Sequence, residues 1–155
     1  EGFRKLRHRF DRLTDSEDPR ADLVRVIEVF RSFVRDHPVL AAVMFSRPFA
    51  DFDPGPAELD AASSVRGFIV GHVRRCIDAG LLVGDETDIA HVLVALAQGL
   101  AAQETAGWLG KSRTSVDRRW ALALRAALDG LVPTQRARTA PRAGAARAPK
   151  PRRRR

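Results

Sequence analysis

Residues 18–36 read DPRADLVRVIEVFRSFVRD, and this stretch decides the fold class of the chain. Asp18 is a good acceptor for the first backbone N–H groups of a helix, and proline is favoured at the first helical position. Apolar side chains then recur every three or four positions, which places them on one face of a helix. The His37-Pro38 pair ends the pattern, because proline lacks a backbone N–H and restricts the residue before it. The stretch therefore predicts an amphipathic helix that ends at Asp36.

The same spacing continues on both sides of this stretch. It predicts further helices over Glu1 to Leu13, Val39 to Phe45, Ala57 to Ala79, Thr87 to Ala106, and Val116 to Leu131. Ser115 is the expected N-cap of the last helix, and Gly80 and Gly107 are expected to end the two before it. Sustained period-two alternation is absent, so no strands are expected. About six helices with short connections predict an all-α helical bundle.

Composition limits the class of protein. A chain of 155 residues, 45% hydrophobic, fits one domain. It contains no long uncharged apolar run and no secretory layout at its start, so no membrane association is expected. The single cysteine, Cys76, excludes an intramolecular disulfide and lies on an apolar helix face, where a thiol is inert. These features favour a cytoplasmic protein. Because the first residue is Glu1, we expect the chain to be a piece of a longer one or to have been processed.

The positive net charge of +8 belongs to the end of the chain. Residues 133–155 hold nine basic residues and no acidic one, whereas residues 1–132 hold 18 basic and 19 acidic residues. We therefore expect a folded domain over 1–132 and a disordered tail over 133–155, because the tail has too little apolar area to offset its ordering entropy. The tail could make non-specific contacts with nucleic-acid phosphates, or it could have no dedicated partner.

Catalysis has little support in the sequence. The four histidines, His8, His37, His72 and His91, lie on separate segments without metal-ligand spacing. No nucleophile stands in an activating context. The chain is therefore interpreted as neither an enzyme nor a metal or cofactor protein.

Two groups of residues are candidates for binding. Aromatic and sparse polar side chains at helical spacing could line a ligand pocket or could be ordinary core. These candidates are Phe30, Phe33, Met44, Phe45, Phe49, Phe68, His72 and Gln98. Small and large apolar residues on the last two helices could form a symmetric dimer interface or could pack only within the monomer. These candidates are Ala95, Gly99, Ala102, Trp120, Leu124 and Leu128.

The helix order and several phrases resemble the C-terminal domain of the TetR family of bacterial transcription regulators. The phrases are Asp18-Pro19-Arg20, His37-Pro38-Val39-Leu40, Met44-Phe45, and Ala79-Gly80-Leu81-Leu82. Many members carry a Trp-x-x-x-His-Gly signature in the penultimate helix. Here Val94 and Gln98 occupy its Trp and His positions, and Gly99 is kept.

The resemblance implies an effector-binding domain that forms a homodimer and responds to a small hydrophobic effector. DNA would then be bound by a helix-turn-helix that precedes Glu1, and the first helix would transmit the ligand's effect to it. The alternative is a non-regulatory helical interaction domain whose basic tail binds protein or nucleic acid.

Overall fold

The computed structural model describes residues 1–45 and 53–133. All regular secondary structure in these ranges is helical, which confirms the predicted all-α bundle of the TetR C-terminal type. The helices are α1 (Gly2–Phe10), α2 (Pro19–Asp36), α3 (Pro38–Phe45), α4 (Pro56–Asp78), α5 (Glu86–Thr105) and α6 (Arg113–Asp129). Phe49 and residues 134–155, which contain nearly all of the predicted tail, lie outside the described residues.

Hydrogen bonds from capping side chains explain where α2 and α6 begin. The Asp18 carboxylate accepts from the backbone N–H groups of Arg20 and Ala21 at 3.1 and 3.0 Å, so α2 begins where the sequence predicts. The predicted cap of α6 was wrong. Ser112, not Ser115, is the N-cap, because the Ser112 hydroxyl accepts the Ser115 backbone N–H at 3.2 Å.

Helices α2 and α4 form the centre of the bundle. Helix α1 packs on both, α5 packs on their other side, and α6 packs against α5. Many side chains in this core are almost inaccessible to solvent, among them Leu6, Phe10, Ile27, Val73 and Leu93. Burying each large side chain of this kind contributes roughly 1.5–3 kcal/mol, so these contacts fix the arrangement of the helices.

A buried carboxylate, Asp22, joins the first half of the bundle. It accepts from the Ser16 hydroxyl at 2.7 Å, the Ser16 backbone N–H at 2.8 Å and the Arg75 guanidinium at 2.8 Å, and it also pairs with Arg25. The Ser16 hydroxyl is the largest of the influences that hold the pKa of Asp22 far below its usual range. Asp22 therefore stays ionised and links α2 to α4 and to the turn that follows α1.

Candidate ligand-binding groove and dimer face

An open groove with a volume of about 660 Å³ runs between α2, α3 and α5. Its α2–α3 side carries the larger side chains, including Phe30, Val34 and Phe45. Its α5 side is built almost entirely of small residues, namely Ala95, Gly99, Ala101, Ala102 and Ala106, with Gln98 and Thr105 as the polar groups. The groove exists because small residues on α5 leave the space opposite the phenylalanines empty.

A second cavity, of about 230 Å³, adjoins this groove and reaches α1 and α4. The two spaces share Phe30, Phe45 and Gln98 as lining residues. The Phe45 ring lies 5.5 Å from the Phe30 ring and 5.7 Å from the Phe3 ring, centroid to centroid. Phe45 therefore connects the groove to the first helix of the domain.

The structure brings three of the predicted pocket residues, Phe30, Phe45 and Gln98, together at the centre of this site. Two others on the first half of the bundle lie elsewhere. Phe33 is fully buried, with the Arg9 guanidinium 5.4 Å from its ring, and Met44 packs against Gly2. Phe33 lies one turn beyond Phe30 on α2 and is buried beside Arg9 of α1, away from the groove.

Phe68 and His72 also lie away from the groove, on the side of α4 that faces α1. Phe68 stacks on Phe10 at 5.0 Å between ring centroids. The Nδ1 of His72 is 3.0 Å from the Phe68 backbone oxygen, and its Nε2 is 3.2 Å from an Asp15 carboxylate oxygen. His72 thus has polar partners within the chain.

Sequence reasoning missed the small residues of the groove, because it looked for aromatic walls. Ala41, Ala42 and Ala106 line the groove although none was a candidate. Ala95, Gly99 and Ala102, which were candidates for dimerisation, also line it, and all three are exposed. The signal available in the sequence was the series of Ala and Gly residues between positions 95 and 106.

The candidates Trp120, Leu124 and Leu128 point inward. They are 3%, 6% and 2% exposed, and they face α2. The outward side of the last two helices carries other apolar residues, of which Val92 and Leu122 are 59% and 54% exposed.

Three helices meet at a nearly buried ion pair between Arg31 of α2 and Glu104 of α5. Arg31 Nε and Nη2 donate to the two Glu104 oxygens at 2.7 and 2.9 Å, and the Trp120 indole N–H of α6 donates to Glu104 at 2.7 Å. Arg31 also lies 2.8 Å from an Asp117 oxygen. Burial alone would raise the pKa of Glu104, but these donors and the Arg31 charge lower it. The cluster ties α2, α5 and α6 together beside the groove.

The chemistry of the groove favours binding. The described lining of the groove and of the adjoining cavity has no carboxylate, cysteine or serine, and the ionisable lining residues, Arg66 and His91, belong to the cavity near α4. Among the described residues there is no group of three or more His, Cys, Asp or Glu that could hold a metal ion. Within the same ranges, no helix is both long and apolar enough to cross a bilayer.

Comparisons with known proteins agree with the architecture. A solved structure, that of a protein with unknown function from Rhodococcus sp. RHA1, superposes with a TM-score of 0.73 at 22% identity, over 85% of this chain and 68% of that one. This likeness shows the shared fold. The search of curated proteins found no match. Residues 23–127, more than half of the chain, match the family described as the tetracyclin repressor-like C-terminal domain. The chain therefore belongs to the tetracyclin repressor-like C-terminal domain family.

Proposed function

We propose that this chain is the effector-binding and dimerisation domain of a transcription regulator, and that it binds a small hydrophobic molecule in the groove between α2, α3 and α5. The observation that carries the proposal is the open, almost uncharged groove of about 660 Å³ in a domain of this family. Ligand sites are typically concave and apolar, with a few placed polar groups. Gln98 would supply the central polar contact.

The position of the groove suggests how binding would be transmitted. A ligand there would touch Phe45, which packs edge-on against Phe3 of α1. A molecule that binds one arrangement of α1 and α3 more tightly than another shifts the population toward it. In a polypeptide with a helix-turn-helix before α1, that shift would alter its affinity for DNA.

The proposed dimer forms through the outward faces of α5 and α6. Val92 and Leu122 are large apolar side chains that remain more than half exposed in the monomer. Gly99 lies on the same outer side of α5, and a Cβ built there would meet no atom within 4 Å, so a second helix could approach closely. A two-fold axis at this face would bury the exposed residues of both copies.

The ligand proposal is tested by a thermal-shift screen of small apolar compounds on the full chain. A compound at one hundred times its Kd should stabilise the domain by about 2.7 kcal/mol, which corresponds to a rise in Tm of roughly 8 °C. Ala101→Leu places extra volume in the groove and should abolish the shift. Ala21→Leu, an exposed alanine of α2 outside the groove, should leave it unchanged. Equal shifts in both variants would place the ligand elsewhere.

The dimer proposal is tested by sedimentation equilibrium at micromolar concentration. The parent chain should sediment as a dimer, and Leu122→Glu should convert it to a monomer. Leu59→Glu changes a similarly exposed leucine on α4 and should remain dimeric. A monomeric parent chain, or a Leu122→Glu variant that stays dimeric, would contradict the proposed interface.

A further inference from the structure

The cavity that reaches α4 makes the two ends of the proposed ligand site chemically different. The α5 residues that line the two spaces extend from Ala90 to Ala106, about 24 Å at the rise of an α-helix. Over most of this length the lining is Ala, Gly, Val and Phe. Both ionisable lining residues, Arg66 and His91, are at one end, and both are basic types. Taken together, the two adjoining spaces are therefore elongated and mostly apolar, with ionisable lining residues at one end.

Arg66 is the permanent cation at that end. The Nδ1 of His91 lies 2.9 Å from the Thr87 backbone oxygen, so that nitrogen is already engaged as a donor. Arg66 forms no ion pair with any residue in the described ranges, and the residues one turn away on α4 are Ala62, Ser63, Ile69 and Val70. By contrast, Arg74, two turns further along the same helix, is paired with Glu86 at 2.5 Å.

From this arrangement we propose that the ligand is an elongated amphipathic anion, a long-chain carboxylic acid in its chemistry, with its carboxylate on Arg66 and its chain along the small residues of α5. The inference rests on the proposed function of the groove. A guanidinium binds a carboxylate with two parallel hydrogen bonds, which orients the head group as well as attracting it. Gln98, midway along α5, lies beside the chain.

The experiment compares acids with their neutral esters on the full chain by isothermal titration calorimetry. Octanoate, dodecanoate and their methyl esters are the probes. Affinity should rise by up to about fourfold for each added methylene that is buried. Dodecanoate should bind roughly threefold to tenfold more tightly than its methyl ester, the range expected for one partly exposed charged contact.

Two variants test whether Arg66 binds the carboxylate head group. Arg66→Gln should remove the preference for dodecanoate over its ester and leave ester affinity unchanged. Arg74→Gln, an exposed arginine of the same helix that does not line the cavity, should keep the preference. Both variants retain the basic tail, so any acid bound there contributes equally to each.

The outcomes separate this inference from the proposed function. If acid and ester bind equally to the parent chain, or if Arg74→Gln removes the preference as fully as Arg66→Gln does, the anionic head is refuted while the apolar groove stands. If Ala101→Leu leaves the binding of both probes unchanged, the groove is not the site and the proposed function loses its support. A preference that only Arg66→Gln removes, together with loss of binding in Ala101→Leu, supports both.

Discussion

Replacing Glu104 with alanine should destabilise the domain more than replacing any solvent-exposed acidic residue with alanine. Glu104 is 17% exposed and accepts three hydrogen bonds, two from Arg31 and one from the Trp120 indole N–H. Without the carboxylate, the Trp120 N–H is left unsatisfied, and Arg31, which is 13% exposed, keeps only its ion pair with Asp117. The change therefore leaves a nearly buried cation and a buried donor poorly compensated.

The expected magnitude follows from these contacts. Removing one partner of a buried ion pair costs about 3–5 kcal/mol, and the remaining Asp117 contact places the change near the lower end. A loss of about 3 kcal/mol should lower Tm by roughly 10 °C in a domain of this size. Glu104→Gln keeps the size of the side chain and an acceptor for the Trp120 indole N–H, so it should cost only about 1–2 kcal/mol.

Urea denaturation followed by far-ultraviolet circular dichroism measures these differences, with every variant at one protein concentration. Glu86→Ala is the control, because its ion pair with Arg74 is exposed and should contribute little. The reasoning would be refuted if Glu104→Ala and Glu104→Gln lost the same stability, or if neither differed from Glu86→Ala.

Three further predictions concern stability and reactivity. The pKa of Asp22 is lower in the folded state than in the unfolded chain, so its contribution to folding stability is present above about pH 4 and is lost as the pH falls below that. Asp22→Asn should therefore weaken the dependence of stability on pH in acid denaturation followed by circular dichroism. An unchanged pH dependence would contradict this. Burial raises the pKa of the Cys76 thiol, so iodoacetamide should modify it only after unfolding, as mass spectrometry would show; rapid labelling of the native chain would disprove its burial. Gly67→Ala, in an open position on α4, should stabilise the domain by about 0.5–1 kcal/mol in thermal melts, whereas Gly80→Ala, at φ +70°, should destabilise it by about 1 kcal/mol. Stability changes of the same sign in the two variants would be inconsistent with these backbone conformations.

Signals within a few residues of one another were readable from the sequence. The Asp18 cap and the proline after His37 fix both ends of α2, since the cap acts through hydrogen bonds, and the proline through a steric clash, with residues close by in the chain. The cap of α6 was misplaced because Ser112 and Ser115 are both suitable acceptors, and only the geometry shows which hydroxyl meets which N–H.

The candidate site was less predictable because it is an empty space between helices. Phe30 and Phe45 were recognisable as aromatic walls, whereas the space between them and α5 depends on how closely three helices approach. Phe68 has the same chemistry, but it stacks on Phe10 because it faces α1. Helical spacing gives the face of one helix, and the partner of that face is a tertiary property.

The two sides of α5 have separable roles. Ile89 and Leu93 face the core and hold the helix in the bundle, whereas Ala95 and Ala102 shape the groove without being buried in that core. Exchanging one of these small residues for a larger one would reshape the space offered to a ligand and leave the packing that holds the helices in place. Related proteins could thus diverge in what they recognise through single substitutions on this side, with the scaffold inherited intact.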